Sequence, residues 1–137
     1  MEIWVRNVRI LRILCNFTKG RGFTRLAMKV HLIKSRTIEE YEKHNARSRS
    51  SFRLWKLTIK DVDWNNPEDI LETFGSADLL GNGADRVVFD IGGNNYRMIC
   101  HYVFGEKEAH LFINWIGSHA EYTKLCKENK QYTISEF

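Results

Sequence analysis

RVVFDIGGNNYRMICHYVFGEKEAHLFINWI, residues 86–116, decides the fold. Three stretches within it have the two-residue period or the unbroken apolar run of a strand: RVVFDI at 86–91, NYRMICHYVF at 95–104 and AHLFINWI at 109–116. GGN at 92–94 and GEKE at 105–108 are connections of hairpin length. Strands this close in sequence pair with their neighbours most economically, so the stretch predicts an antiparallel meander. In the middle strand Asn95, Arg97, Ile99, His101 and Val103 share one face, and Tyr96, Met98, Cys100, Tyr102 and Phe104 share the other. The second set is almost wholly apolar and reads as core. Arg97 needs an anion, because an unpaired charge in such a strand is costly. A carboxylate on a flanking strand, Asp90 or Glu108, can supply it, and so can a bound phosphate.

Downstream, WIGSHAEYTKL at 115–125 marks the handover from strand to helix. Ser118 and Glu121 stand three apart, the capping-box spacing in which each side chain satisfies a free backbone N–H at the helix start. The helix is predicted over 119–129. His119 then falls in its first turn, with Tyr122 three residues on along the same face. A helix start also attracts phosphate through its free N–H groups and partial positive charge. The plainer reading is a capped helix with an incidental histidine and a core tyrosine.

Upstream, the pattern is helical. Residues 46–60, ARSRSSFRLWKLTIK, carry Phe52, Trp55 and Ile59 at i, i+3, i+7. Arg49, Arg53, Lys56 and Lys60 fall within an arc of about 60° beside that stripe, at 100° per residue. Such a stripe is either a solvated face or a surface for RNA backbone. DVDWNNPEDILETFG gives a turn, a helix starting at Pro67 and a stop near Gly75. SADLLGNGAD reads as a loop. MKVHLIK, from Met28, alternates like a short strand, and a helix begins near Ser35 or Thr37. Helices first and hairpins later make an α+β domain over residues 28–137.

Residues 1–27 have another character. They hold six basic residues against one acid, leaving 15 basic and 16 acidic residues in the rest of the chain. The net charge of +4 therefore belongs to this basic extension. It lacks an uninterrupted apolar region for a signal peptide, and Met28 is the favoured true start. At 43% apolar and 28% charged, the chain has a globular composition. No apolar run nears the roughly 20 residues that cross a bilayer. Three scattered cysteines with no zinc spacing predict reduced thiols, a cytoplasmic protein and no metal site. No Walker loop, HExxH or GxSxG appears, and DIGGNN is flanked by strands, as a hairpin is.

These residues also carry a resemblance. VVFDIGGNNYRMI followed by FINWIGSHAEY is similar to the paired signature of the HigB toxin family, a VFxIxGNxYR strand pair and then a GTHAEYD end. RLWKLTIKDVDWNNPEDILETFGSADLL and MKVHLIKSRTIEEYEKHN resemble earlier parts of that family, so the likeness runs from 28 to about 125. It implies the RelE-like fold, a small antiparallel sheet of an N-terminal strand plus the meander, packed with two or three helices. It implies an mRNA endonuclease, generally acting on translating ribosomes, and the residues at hand fit such a reaction with no metal or other cofactor. It implies a helix-turn-helix antitoxin as partner, through which alone operator DNA is reached, and no membrane. Matching positions carry over Asn95 as an RNA contact, and Arg97, His119 and Tyr122 as the catalytic set. Ser118 stands where threonine is usual, which keeps the cap, and Thr123 stands where aspartate is usual.

The chemistry this requires is simple to state. RNA brings its own nucleophile, the 2′-OH beside the scissile phosphate. The protein must supply a base, a donor to the leaving 5′ oxygen, and positive charge where the phosphorane forms. Arg97 is the candidate for charge, His119 and Tyr122 for protons, and Arg49, Arg53, Lys56 and Lys60 for backbone contact. The alternative from another class is a RelE-fold toxin that binds and inhibits DNA gyrase without catalysis.

Overall fold

The computed structural model describes residues 28–137; the basic extension 1–27 lies outside the described residues. Strand β1 (Lys29–Ile33) leads into helix α1 (Arg36–His44), a 3₁₀ turn (Ala46–Ser48) and helix α2 (Arg49–Asp61). Helix α3 (Pro67–Thr73) and the two-residue strand β2 (Asp78–Leu79) follow. The meander is β3 (Arg86–Ile91), β4 (Tyr96–Phe104) and β5 (Glu108–Ser118), and helix α4 (His119–Lys127) closes the fold. The five strands form one sheet in the order β1-β5-β4-β3-β2.

The α+β class and the antiparallel meander stand as expected. Two details differ. β1 pairs with β5 in parallel, so the sheet is mixed. The whole helical layer lies between these strands in sequence, and no turn forces the antiparallel sense on them. The SADLL stretch, read as loop, contributes β2, which pairs Asp78 with Val88 and Leu79 with Val87. A two-residue strand is too short to show a period.

The apolar stripe of α2 does what its spacing predicts. Phe52, Trp55 and Ile59 are buried against Val87, Phe89 and Ile91 of β3, Met98 and Cys100 of β4, and Leu111 and Ile113 of β5. Trp55 meets Phe89 edge-on at 5.2 Å, and Phe74 does so at 5.1 Å. Burying each large side chain of this kind stabilises the fold by roughly 1.5–3 kcal/mol. α3 is held by the box of Asn66 and Asp69, each capping the other's backbone.

The opposite face of the sheet has its own smaller core, Val88, Ile99, Trp115 and Leu125, with Tyr122 and Ile134 packed beside it. A bulge creates it. Ile99 pairs with Trp115 but Cys100 pairs with Ile113, which leaves Asn114 unmatched. Strict alternation would put Trp115 with Leu111 and Ile113 under α2. The extra residue turns it to the other face instead, where it becomes the floor under α4. Buried Arg86 ties down the chain beyond α4, donating from Nη1 to the carbonyl oxygens of Gln131 (3.3 Å) and Ile134 (2.7 Å). No described helix is long and apolar enough to cross a membrane.

Candidate active site

The site forms where β5 hands over to α4. Gly117 lies in register with Arg97 on β4, and Ser118 with Tyr96. Ser118 has extended backbone, and its hydroxyl accepts from the Glu121 N–H at 3.2 Å. The Glu121 carboxylate accepts from the Ser118 N–H at 2.8 Å. The predicted capping box is therefore complete. Glycine is required at 117, because a Cβ there would stand 2.4 Å from the Trp115 indole.

The β3–β4 turn fixes the helix start from the other side. Gly92 and Gly93 both have positive φ, near 67°. That is the backbone of a tight hairpin, and it suits glycine. Gly92 is doubly constrained, since a Cβ would meet the Ser51 hydroxyl of α2 at 2.8 Å. Beyond this turn the Asn95 carbonyl accepts the His119 N–H at 3.1 Å. Turn, cap and helix are thus one connected piece of backbone.

Arg97 is 8% exposed. Its Nε meets the Asp90 carboxylate at 3.0 Å, Nη2 donates to Asn94 Oδ1 at 2.7 Å, and Nη1 donates to the Tyr96 carbonyl at 3.2 Å. Of the two acids considered for it, Asp90 is the partner. Glu108 sits at the far end of β5, in register with Lys29. The three contacts engage three of the five guanidinium N–H donors and lock the group's orientation. A buried charge held this way is preorganised, and its paired carboxylate reduces the net positive field it offers.

Tyr122 is packed, as the plainer reading has it, and lies in the field of Arg97. Its ring packs on Trp115 at 6.2 Å, as a core residue does. Burial first, and then a hydrogen bond with Cys126, push its phenol well above the ordinary range. The Arg97 charge acts in the opposite sense on the same phenol, so the two groups share one electrostatic environment. Tyr122 keeps its proton at neutral pH and is a donor there. His119, at the first helical position, is exposed. Tyr41 of α1 also feels this corner: burial and then the Glu121 carboxylate raise its phenol.

The basic stripe is only partly as drawn from the sequence. Arg49, Arg53 and Lys60 are exposed. Lys56 turns towards α1, where it meets Glu42 at 3.8 Å, with Glu42 itself only 9% exposed. Leu54 and Leu57 stand exposed among these cations, at 67% and 53%. A groove of about 310 Å³ runs along α2 from Leu54 and Trp55 past Phe74 and Ile91 to the β3–β4 turn at Gly92 and Gly93. Sequence reading did not identify Asn94, Gly117 or Trp115 as parts of the site. Asn94 carried a signal in the doubled asparagine of GGNN, whereas the role of Trp115 depends on the bulge.

Residues 48–125 match the family described as HigB_toxin, the RelE-like toxic component of a toxin-antitoxin system. The chain belongs to the HigB toxin family. A relative from Escherichia coli O6:H1, named mRNA interferase HigB, is 30% identical over 105 residues, which cover 74% of this chain and the whole of that protein. The HigB match spans α2, the entire meander and most of α4, so Asp90, Asn94, Arg97, Ser118, His119, Glu121 and Tyr122 all lie inside it. As the toxic component of a toxin-antitoxin system, a HigB protein has a cognate antitoxin.

Proposed function

We propose that this HigB-family toxin is an mRNA endonuclease that inhibits translation, with its reaction centre at the Arg97–His119–Tyr122 corner. The observation that carries the reading is the convergence of three independent elements there: the β4 arginine, the β3–β4 turn holding the His119 N–H through Asn95, and the capped start of α4. The name of the Escherichia coli relative, an mRNA interferase matched over its full length, supports the same activity.

In this reading the substrate's 2′-OH attacks the adjacent phosphate. Arg97, oriented by Asp90 and Asn94, opposes the charge that grows on the phosphorane. As the bond from phosphorus to the 5′ oxygen breaks, leaving a 2′,3′-cyclic phosphate, Tyr122 is placed to donate to the leaving 5′ oxygen. His119, exposed at the helix start, is left to manage the proton of the nucleophile. Asn95 contacts RNA beside it. Arg49, Arg53 and Lys60 hold backbone along α2, and Lys56 contributes mainly by packing α1 onto α2. No step needs a metal or a cofactor. Positioning by the ribosome supplies orientation, so naked RNA is a poor substrate. The antitoxin carries a helix-turn-helix domain and is the only route to operator DNA. The toxin acts in the cytoplasm, where translated mRNA lies.

The gyrase-inhibitor alternative finds no support in the family match or in the relative. Mapping transcript ends after induction tests the choice. New 5′ ends inside reading frames are expected. Intact mRNA with broken chromosomal DNA would contradict the nuclease reading.

A further inference from the structure

The other end of β5 carries a second cluster of chemistry-bearing side chains. His31 of β1 and His110 of β5 are register partners across the parallel pair, with ring centroids 5.6 Å apart. Glu108 lies two residues before His110, on the same face of its strand. His31 Nδ1 is 4.0 Å from Glu108 Oε1. One donor atom from each of the three side chains lies within 4.8 Å of the other two. The cluster is remote from Arg97: His110 and Gly117, the register partner of Arg97, are seven positions apart on β5, roughly 20 Å at the rise of a strand.

We infer that His31, Glu108 and His110 form a binding site for a divalent transition-metal cation of the zinc class, which clamps β1 to β5. Three features favour this over a chance grouping. Two imidazoles and one carboxylate are the donor set of a three-ligand zinc site that leaves a fourth position for water. Magnesium and calcium, which prefer oxygen ligands, are disfavoured. The Nδ1 atom of His110 is shielded from solvent with no hydrogen-bond partner among the described residues, so the ring has unused polar capacity in this position. Lys29, the register partner of Glu108, is engaged elsewhere and reaches Asp63 at 3.5 Å.

Geometry asks for a small adjustment. Bonds of about 2.0–2.2 Å place tetrahedral ligand atoms roughly 3.4 Å apart, closer than the present spacing. His31 and Glu108 are both exposed, so rotamer changes alone can draw them in. The effect belongs to the fold. β1 is an edge strand held by its five-residue pairing with β5, a bridge from Lys29 to Asp63 and the packing of Val30 and Leu32 on the core. A cation shared between β1 and β5 would bind the folded state and not the unfolded chain, and so stabilise the folded state.

The test uses the full chain freed of metal with a chelator and titrated with zinc chloride. Zinc should bind with one-to-one stoichiometry, raise the melting temperature and slow hydrogen exchange of the β1 amides; magnesium should do none of these. His31→Ala and His110→Ala should each weaken zinc binding more than about tenfold, since even residues that merely support a metal ligand act on that scale. Glu108→Gln, which preserves size and exposure, should weaken it as well while melting like the parent in chelator. Absence of a zinc-dependent melting shift in the parent overturns the inference. So does an equal shift in the parent and in the chain lacking both histidines, which would send the metal to other residues such as Cys126.

Discussion

Phe89, Met98 and Leu111 point from the sheet into a core capped by α1, α2 and α3; Val88, Ile99 and Trp115 point the other way, into a core of four residues covered by α4 and the chain beyond it. The first face uses its side chains for packing. The second mixes a little packing with a buried arginine, a protonated tyrosine and an exposed histidine. A face proposed to carry chemistry has to leave polar groups within reach of substrate, at the expense of a larger core. Substitutions on the two faces should therefore separate stability from activity.

Phe52→Ala, on the packing face, should cause the largest loss of stability, about 3–5 kcal/mol for a fully buried aromatic. Denaturant melts measure it, and cleavage per folded molecule should be unchanged. Gly117→Ala probes the seam between packing and chemistry. Its new methyl meets the Trp115 ring, so a loss of about 1–3 kcal/mol is expected. Here cleavage per folded molecule should fall too, because α4 must shift. Normal cleavage in a destabilised Gly117→Ala protein would detach the helix start from the reaction. Ser118→Ala removes one half of the cap and should cost about 1 kcal/mol in thermal melts, with a partial loss of cleavage.

The smallest effect expected is alkaline. Burial raises the Cys100 thiol from its ordinary 9.0 and the Tyr122 phenol from its ordinary 10.0, one on each face of the sheet. The folded chain keeps these protons while the unfolded chain loses them, so stability is intact below pH 9 and declines as pH rises beyond it. Cys100→Ala should flatten the onset near pH 9, and Tyr122→Phe the part beyond pH 10. Melts at a series of alkaline pH values distinguish the two.

Much of this arrangement was legible in the sequence because its causes are local. The capping box needs only Ser118 and Glu121 at the right spacing, and the α2 stripe needs only Phe52, Trp55 and Ile59. The two glycines at 92 and 93 announced their turn. What could not be read depends on pairing at long range. The bulge at Asn114 exists only against β4, and it reverses the face on which Trp115 lies. The parallel sense of β1 depends on how the helical layer returns the chain. Lys56 belongs by spacing to the basic stripe, and only the packing of α1 shows that Glu42 takes it. Arg97 was recognised as needing an anion, but the choice of Asp90 over Glu108 rests on strand register.

The most direct test of the central claim, that the α4 face carries the chemistry, is a paired measurement on His119→Ala. Thermal melts and cleavage of a translated mRNA are recorded on the same preparation, with Arg97→Ala alongside. His119 is exposed and its backbone N–H, which binds Asn95, survives the substitution. The expected outcome is a melting temperature close to that of the parent and the loss of most cleavage. A markedly lower melting temperature with undiminished cleavage by the folded fraction would contradict it, and would reduce this corner to a well-capped helix start.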